Sequence, residues 1–295
     1  MFFKALVWFD LDEDWDLTPG ELEEILAEFP LRPCEGTVAR TIGWVAPWTD
    51  GALVRNQGRQ YLAALGWEQK VLPGAVIKKH LEEKCAEIER QKGYKPGRKM
   101  VKDLKEQIIL ELLPKAFAKP GQLRVWLDLQ RHRIVVASSS TRAAEELVEY
   151  LRNSLGGELA VSTPEVPLAP ANTFTGWVAA REVPGRWALG DSCRIEGRDE
   201  DGARISYGRY DLASDDIRHH LTQGCVVTKL ALVWNQRVSF TLTERLQLSR
   251  IEFLEVRPDT DETQEEAHDA DFALMAGDLG ELLDDLITAL GVERE

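Results

Sequence analysis

The chain has 295 residues, 44% of them hydrophobic, with four cysteines and a formal net charge of -14. That apolar content suffices for one large core or two to three modest ones and sets the chain apart from disordered proteins. No apolar run approaches the roughly 20 residues of a membrane span; Met1 to Phe9 carries a single Lys, no small-residue cleavage site and acids directly after it, so a cytoplasmic location is expected.

In chain order, "FFKALVWFDL" predicts a strand, and Thr18, Pro19 and Glu21 predict a helix start with Thr as N-cap, Pro at the first helical position and Glu closing a capping box. That helix runs to about Phe29, before Pro30. "TIGWVAPW", "ALVRN" and "QYLAALGWEQKVL" read as strands divided by turns at Thr49 to Gly51 and Asn56 to Gly58. Pro73 opens a helix with Ile77, Leu81, Cys85 and Ile88 on one face, ending at Gly93. A second helix begins near Arg98 with Met100, Leu104, Ile108 and Leu112 each four apart. Joined by a short Gly/Pro turn, these two form an expected antiparallel helical hairpin, each arm about 27 Å long at 1.5 Å per residue.

"LRVWLDL" and "RIVVAS" follow as strands, then a helix from Ser140 to about Ser154 with Gly156 and Gly157 at its end. Residues 162–173, "STPEVPLAPANT", read as a connector. Beyond it, Trp187 to Glu196, "ARISYGRY", "CVVTKLALVWN", "RVSFTL" and "LSRIEFL" predict strands, with a helix from Asp215 to Thr222 and an acidic amphipathic helix over about Glu265 to Leu290. The expected organisation is a central α/β domain from residues 1–72 with 121–161, a hairpin tip domain at 73–120 and a C-terminal α/β base domain at 162–295.

Charge is unevenly spread. Residues 10–28 hold nine acids and no base, and residues 258–295 hold thirteen acids and one base, which leaves +7 on the remainder. Association with a polyanion depends on potential within about a Debye length, so the whole-chain charge is a poor guide to partners. Residues 90–105 alone carry seven Lys and Arg against one Asp.

Catalytic signatures are missing: the chain has no phosphate loop, no Gly-x-Gly-x-x-Gly, no Gly-x-Ser-x-Gly and no His-Glu-x-x-His. Cys34, Cys85, Cys193 and Cys225 are far apart and fit small buried apolar residues. His219 and His220 diverge by about 100° on a helix and share a metal poorly. The clusters Asp10, Asp12, Glu13, Asp14 and Asp16, and Asp259, Asp261 and Glu262, lack a calcium-loop pattern and read as solvated acidic segments. No catalytic residue, cofactor or metal site is predicted. The basic block at residues 90–105 reads either as a solvated helix face or as a phosphate-contacting surface. Phe117, just after the second helix, reads either as a core residue or as an apolar plug for another subunit.

Several segments together carry a specific likeness. "LPGAVIKKHLEEKCAEIE", "LKEQIILELLPKAF", "VWLD", "AAEELVEYLRNSLG", "GCVVTKLALVW" and "DADFALMAGDLGELL", in this order and nearly end to end, closely resemble the bacterial RdgC family, and "IGWVAPW" adds to the match. The resemblance implies an α+β protein with mixed antiparallel sheets and a projecting helical hairpin. It implies a ring-shaped homodimer with a positively charged hole that binds double- and single-stranded DNA without sequence preference and restrains the RecA recombinase. The implied protein is nucleoid-associated, not an enzyme, without cofactor or membrane partner.

The resemblance puts a DNA contact at Lys115, and the surrounding basic stretch offers Arg98, Lys99, Lys102 and Lys119 as candidate phosphate contacts. The resemblance also implies a dimer gate at Phe117 with Leu113, and a second, larger dimer contact in the C-terminal part. A further contact region maps to Arg209 and Tyr210. There Gly208 stands where the family has a basic residue and Tyr210 where it has a polar one, so this chain departs from the pattern. The competing expectation is a protein-directed regulator whose acidic ends bind the recombinase as a DNA mimic or adaptor.

Overall fold

The opening apolar run forms β1 (Ala5–Leu11), and Leu6, Val7, Trp8 and Phe9 are all buried. A strand covered on both faces reads as a continuous apolar run rather than an alternation. In the computed structural model the described residues are 2–11, 17–49, 51–197, 202–254 and 264–292. The acidic stretches at 12–16 and 259–262 lie outside them. After β1 come α1 (Pro19–Ala27), β2 (Arg40–Val45), β3 (Arg55–Gln57) and β4 (Gln60–Lys70). Then follow α2 (Gly74–Lys92), α3 (Arg98–Leu112), a 3-10 turn at Leu113–Lys115, β5 (Ala118–Asp128), β6 (Arg133–Val136) and α4 (Thr141–Ser154). The remainder is β7 (Val161–Ser162), α5 (Pro170–Ala180), β8 (Trp187–Glu196), β9 (Arg204–Gly208), α6 (Asp215–Thr222), β10 (Val226–Trp234), β11 (Val238–Thr243), β12 (Leu248–Phe253) and α7 (Gln264–Ala289). The class is α+β with antiparallel strand pairing.

Two units divide the chain: Met1–Leu22, Val54–Ala63 and Arg124–Glu295 form the first, and Glu23–Leu53 with Ala64–Leu123 the second. In the first, the strands run in the order β5-β6-β1-β12-β11-β10-β8-β9, with β3 beside β4 and β7 beside β1. β1 sets Val7 opposite Val136 on one side and Leu6 opposite Leu248 on the other. In β10 and β11, Leu230, Leu232 and Trp234 and then Val238, Phe240 and Leu242 are buried at every second position, the pattern of strands with one covered face. α7 contributes Phe272, Met275, Leu279, Leu282 and Leu286 to the core at helical spacing. Its carboxylates reach the sheet: the Trp234 indole N–H donates to Asp285 at 2.7 Å, and Arg237 meets Asp278 at 2.9 Å.

Local rules explain the element ends. The Thr18 amide donates to the Glu21 carboxylate at 2.9 Å while the Glu21 amide donates to the Thr18 hydroxyl at 3.3 Å, the reciprocal capping box. Ser140 accepts from the Ala143 amide as N-cap of α4, whose Ala144, Leu147, Val148 and Leu151 are buried. One helix contradicts the sequence reading: α5 begins inside the supposed connector. Pro170 sits in its first turn, where a missing N–H costs nothing, and Phe174, Trp177 and Val178 are buried at i, i+3 and i+4. The strand predicted from "ARISYGRY" stops at Gly208, because Arg209 takes a left-handed conformation at φ 53°.

The second unit holds the pairing of β2 with β4, from Arg40 opposite Gln69 to Val45 opposite Ala64. Gly43 is required there: a Cβ on it would stand 2.3 Å from the Leu31 nitrogen, because the chain after α1 folds back against β2. α2 and α3 belong to this unit, and Lys84 of α2 meets Glu111 of α3 at 2.8 Å.

Candidate nucleic-acid interface

α2 ends where Gly93 adopts the left-handed φ of 77° and returns its amide to the Glu89 carbonyl at 2.9 Å. Pro96 and Gly97 then break the chain, and Gly97 precedes the first residue of α3, Arg98. Neither helix contributes much to a core: α2 has no buried residue and α3 only Ile108. At 100° per residue Arg98, Lys102 and Lys105 lie within about 60° of one another, with Lys99 beside them. All four are exposed.

Two observations set this basic face apart from an ordinary solvated one. The first turn of α3 holds Arg98 and Lys99 and no acid. Cations at the positive end of a helix dipole are each unfavourable by about 0.3–1 kcal/mol, so the placement does not serve helix stability. Secondly, two of the three acids of α3 are already engaged. Glu111 accepts from Lys84 and Gln107, and the Lys84 ammonium holds its carboxyl below the usual carboxylate range. Glu106 stands 3.9 Å from Lys102. Among the described residues Arg98, Lys99, Lys105, Lys115 and Lys119 have no ion-pair partner.

Beyond α3 the 3-10 turn buries Leu113 at 6% exposure, while Phe117 is 89% exposed. Its backbone is anchored, since the Val71 amide donates to the Phe117 carbonyl at 2.9 Å. The chain is extended from Ala116 onward, and Lys115 and Lys119 flank the ring two residues away on either side, both exposed. Of the alternatives open for Phe117, the core placement is thus eliminated. Leu113 is the residue that packs inside; it supports the turn from beneath. Leu110, at 55% exposure, is another of the exposed apolar side chains of this unit.

The remaining predicted residues, Arg209 and Tyr210, belong to the first unit. Arg209 is exposed, with no ion pair among the described residues. Tyr210 donates its hydroxyl to the Asp216 carboxylate at 2.6 Å, a bond that raises its pKa, and its ring lies 5.0 Å from that of Tyr207. Asp211, Asp215 and Asp216 make this loop and helix start mixed in charge, in contrast to α3. His219 and His220 have ring centroids 6.1 Å apart, and among the described residues no group of three or more His, Cys, Asp or Glu is arranged to hold a metal ion. No helix among the described residues is long and apolar enough to cross a membrane.

Sequence reasoning missed a second basic cluster in the first unit. Arg194, Lys229 and Arg250 line a cleft of about 370 Å³ on the sheet. The available signal was a cation inside an apolar strand run, Lys229 within "VVTKLALVW".

Residues 1–293 match the RdgC family model, whose description is "Putative exonuclease, RdgC". A recombination-associated protein RdgC from Dechloromonas aromatica (strain RCB) is 35% identical over 300 residues, covering 99% of this chain and 98% of the relative. Those of Bordetella parapertussis (strain 12822 / ATCC BAA-587 / NCTC 13253) and Herminiimonas arsenicoxydans are 35% and 37% identical over 298 residues, covering 100% of this chain and 99% of each relative. With both the whole-length model and full-length relatives in agreement, the chain belongs to the RdgC family.

Proposed function

We propose that this protein is a sequence-non-specific DNA-binding homodimer that closes around DNA as a ring and limits RecA-dependent recombination. In this reading α2 and α3 form a projecting helical hairpin, Phe117 meets its counterpart on the second subunit to close the ring, and Arg98, Lys99, Lys102, Lys115 and Lys119 face DNA phosphates. The observation that carries the reading is an 89%-exposed phenylalanine flanked by unpaired lysines. Exposed aromatics of this kind suit burial against a partner, and cations in excess over the acids around them suit a polyanion. Contacts to phosphate alone give affinity without base readout. The names of the relatives supply the link to recombination.

The test is fluorescence anisotropy with a labelled duplex across 50 to 200 mM salt. If six or more phosphates are neutralised, affinity falls on the order of 10³-fold over that range. A nearly flat response refutes the reading. Reversing Lys99, Lys102 and Lys115 to Glu is expected to abolish both DNA binding and inhibition of RecA strand exchange; inhibition surviving without DNA binding would favour the protein-directed alternative. The function is a binding one: plasmid and linear DNA incubated with magnesium are expected to remain intact, and shortened products would establish the nuclease that the family description names.

A further inference from the structure

The cleft on the first unit's sheet opens among β8, β9, β10, β11 and β12. Its lining presents the side chains of Arg194, Lys229 and Arg250, with hydroxyls from Ser206, Thr241 and Ser249, and includes no carboxylate. Strand pairing places these groups on one face: Arg194 is opposite Lys229 on one side and Ser206 on the other, and Thr241 is opposite Ser249. The face is irregular where the cations stand. Register shifts occur between Val227 and Lys229 in β10 and between Ser239 and Thr241 in β11, the latter opposite Arg250 of β12, whose φ is 53°. Bulges of this kind turn side chains away from the plain alternation of a strand and bend the sheet locally.

This arrangement is costly without a ligand. Like charges directly opposite on neighbouring strands destabilise a sheet, and Arg194 and Lys229 are such a pair. Arg250 holds a left-handed backbone that glycine or asparagine would adopt with less strain. Glu196, two residues beyond Arg194 on β8, is taken by Arg204 at 2.8 Å, and Arg194 itself donates to the Ser206 hydroxyl at 3.4 Å. Lys229 and Arg250 have no ion pair among the described residues. Cations interleaved with hydroxyls, with no carboxylate or amide side chain among them, match the oxygens of a phosphate group.

We propose that this cleft binds phosphodiester groups of a DNA backbone, as a contact distinct from the basic face of α3. The assignment rests on the DNA-binding reading above and deepens it: the first unit takes its own share of the backbone through Arg194, Lys229 and Arg250, and this second site adds to the counterion release. Tyr210, near the cleft's edge at Gly208, is less free for such a contact, because Asp216 occupies its hydroxyl.

The experiment is the salt dependence of duplex binding by the parent, by a Lys229→Gln/Arg250→Gln variant and by Arg250→Gly. Arg250→Gly removes the charge while suiting the φ of 53°, so loss of binding in a variant that keeps its melting temperature is not misfolding. For the double variant the slope of log K against log salt is expected to be shallower by about 1.8, at about 0.9 per phosphate lost, and affinity at 0.1 M salt at least about tenfold weaker. Arg250→Gly should lose about half that slope. Unchanged slopes in both variants, with Lys99→Gln and Lys102→Gln still reducing the slope, overturn the cleft and leave the α3 reading standing. A parent that does not bind the duplex overturns both. A Lys229-dependent rise in melting temperature with inorganic tripolyphosphate, alongside unchanged duplex slopes, assigns the cleft to free polyphosphate and overturns the DNA assignment.

Discussion

Replacing Phe117 with Ala separates a residue that serves the chain from one that serves a partner. At 89% exposure the ring leaves only about a tenth of its surface covered. An enclosed Phe buries roughly 200 Å², so some 20 Å² is covered here, worth about 0.5 kcal/mol at 25 cal/mol per Å². Phe117→Ala should therefore move thermal unfolding of the separate chain by little more than the error of measurement. Leu113, four residues earlier and 6% exposed, gives the contrast, because truncating a buried Leu to Ala costs about 2–5 kcal/mol. If the Phe117 ring is buried instead at a contact between subunits, each ring is worth about 1.5–3 kcal/mol there. Two rings then make about 3–6 kcal/mol, or on the order of 10² to 10⁴ in the closing equilibrium. The assay is retention on circular against linear DNA after a high-salt challenge, with sedimentation velocity to follow the dimer. The C-terminal contact should keep Phe117→Ala dimeric while it slips from circles as readily as from linear molecules. Equal retention of parent and variant on circles removes the gate, and a melting temperature lowered as far as by Leu113→Ala shows that the ring serves its own unit.

Other outcomes follow from the same geometry. Arg98→Glu with Lys99→Glu places acids at the positive end of α3 and should stabilise the helix by about 0.3–1 kcal/mol per site while weakening DNA binding; loss of stability together with binding would show that the cations serve the fold. Asp284 anchors α7 through Arg133 at 2.7 Å and Arg131 at 2.8 Å, and Arg133 is nearly enclosed, so Asp284→Ala should cost about 3 kcal/mol in urea unfolding, and an unchanged midpoint refutes the pairing. Burial pushes the Cys193 thiol up to about 11, from an unfolded value near 9. Because the unfolded chain then releases its proton first, this contribution to stability is present below pH 9 and is lost as pH rises from 9 to 11. At pH 8 Cys193 should react with a thiol reagent only after unfolding, and prompt labelling of all four cysteines overturns its placement.

The helices were the most readable part of the sequence, since Met100, Leu104, Ile108 and Leu112 repeat at one turn and Gly93 and Gly97 delimit the break. The Thr18 and Glu21 capping box was equally legible because both partners lie within one turn. α5 was obscured by its own signal: Pro164, Pro167 and Pro170 together resemble a connector, and only the burial of Phe174, Trp177 and Val178 shows that the last proline opens a helix. Phe117 was undecidable locally, because exposure depends on what the rest of the chain leaves uncovered. The cleft was out of reach for a different reason. Arg194, Lys229 and Arg250 come from three strands, and their shared face is set by long-range pairing and by register shifts. A shift of one residue reverses which face a side chain takes, so no single-strand pattern predicts the cluster.

The excess of acid at the C-terminal end is in part a structural counter-charge. α7 turns Leu279, Leu282 and Leu286 into the core while Asp278, Asp284 and Asp285 meet Arg237, Arg133 and Arg186 of the same unit. A DNA mimic needs carboxylates displayed to a partner, and three from this helix are instead spent on the chain's own arginines. The second unit has the opposite balance. Residues 90–119 hold nine Lys and Arg against three acids, and two of those acids, Glu106 and Glu111, are already paired with Lys102 and Lys84. Over a Debye length of about 8–10 Å a phosphate approaching α3 meets its local cations, and the whole-chain total of -14 does not describe that field. In the proposed DNA-binding role, the unpaired lysines around Phe117, and not the net charge, decide what the protein holds.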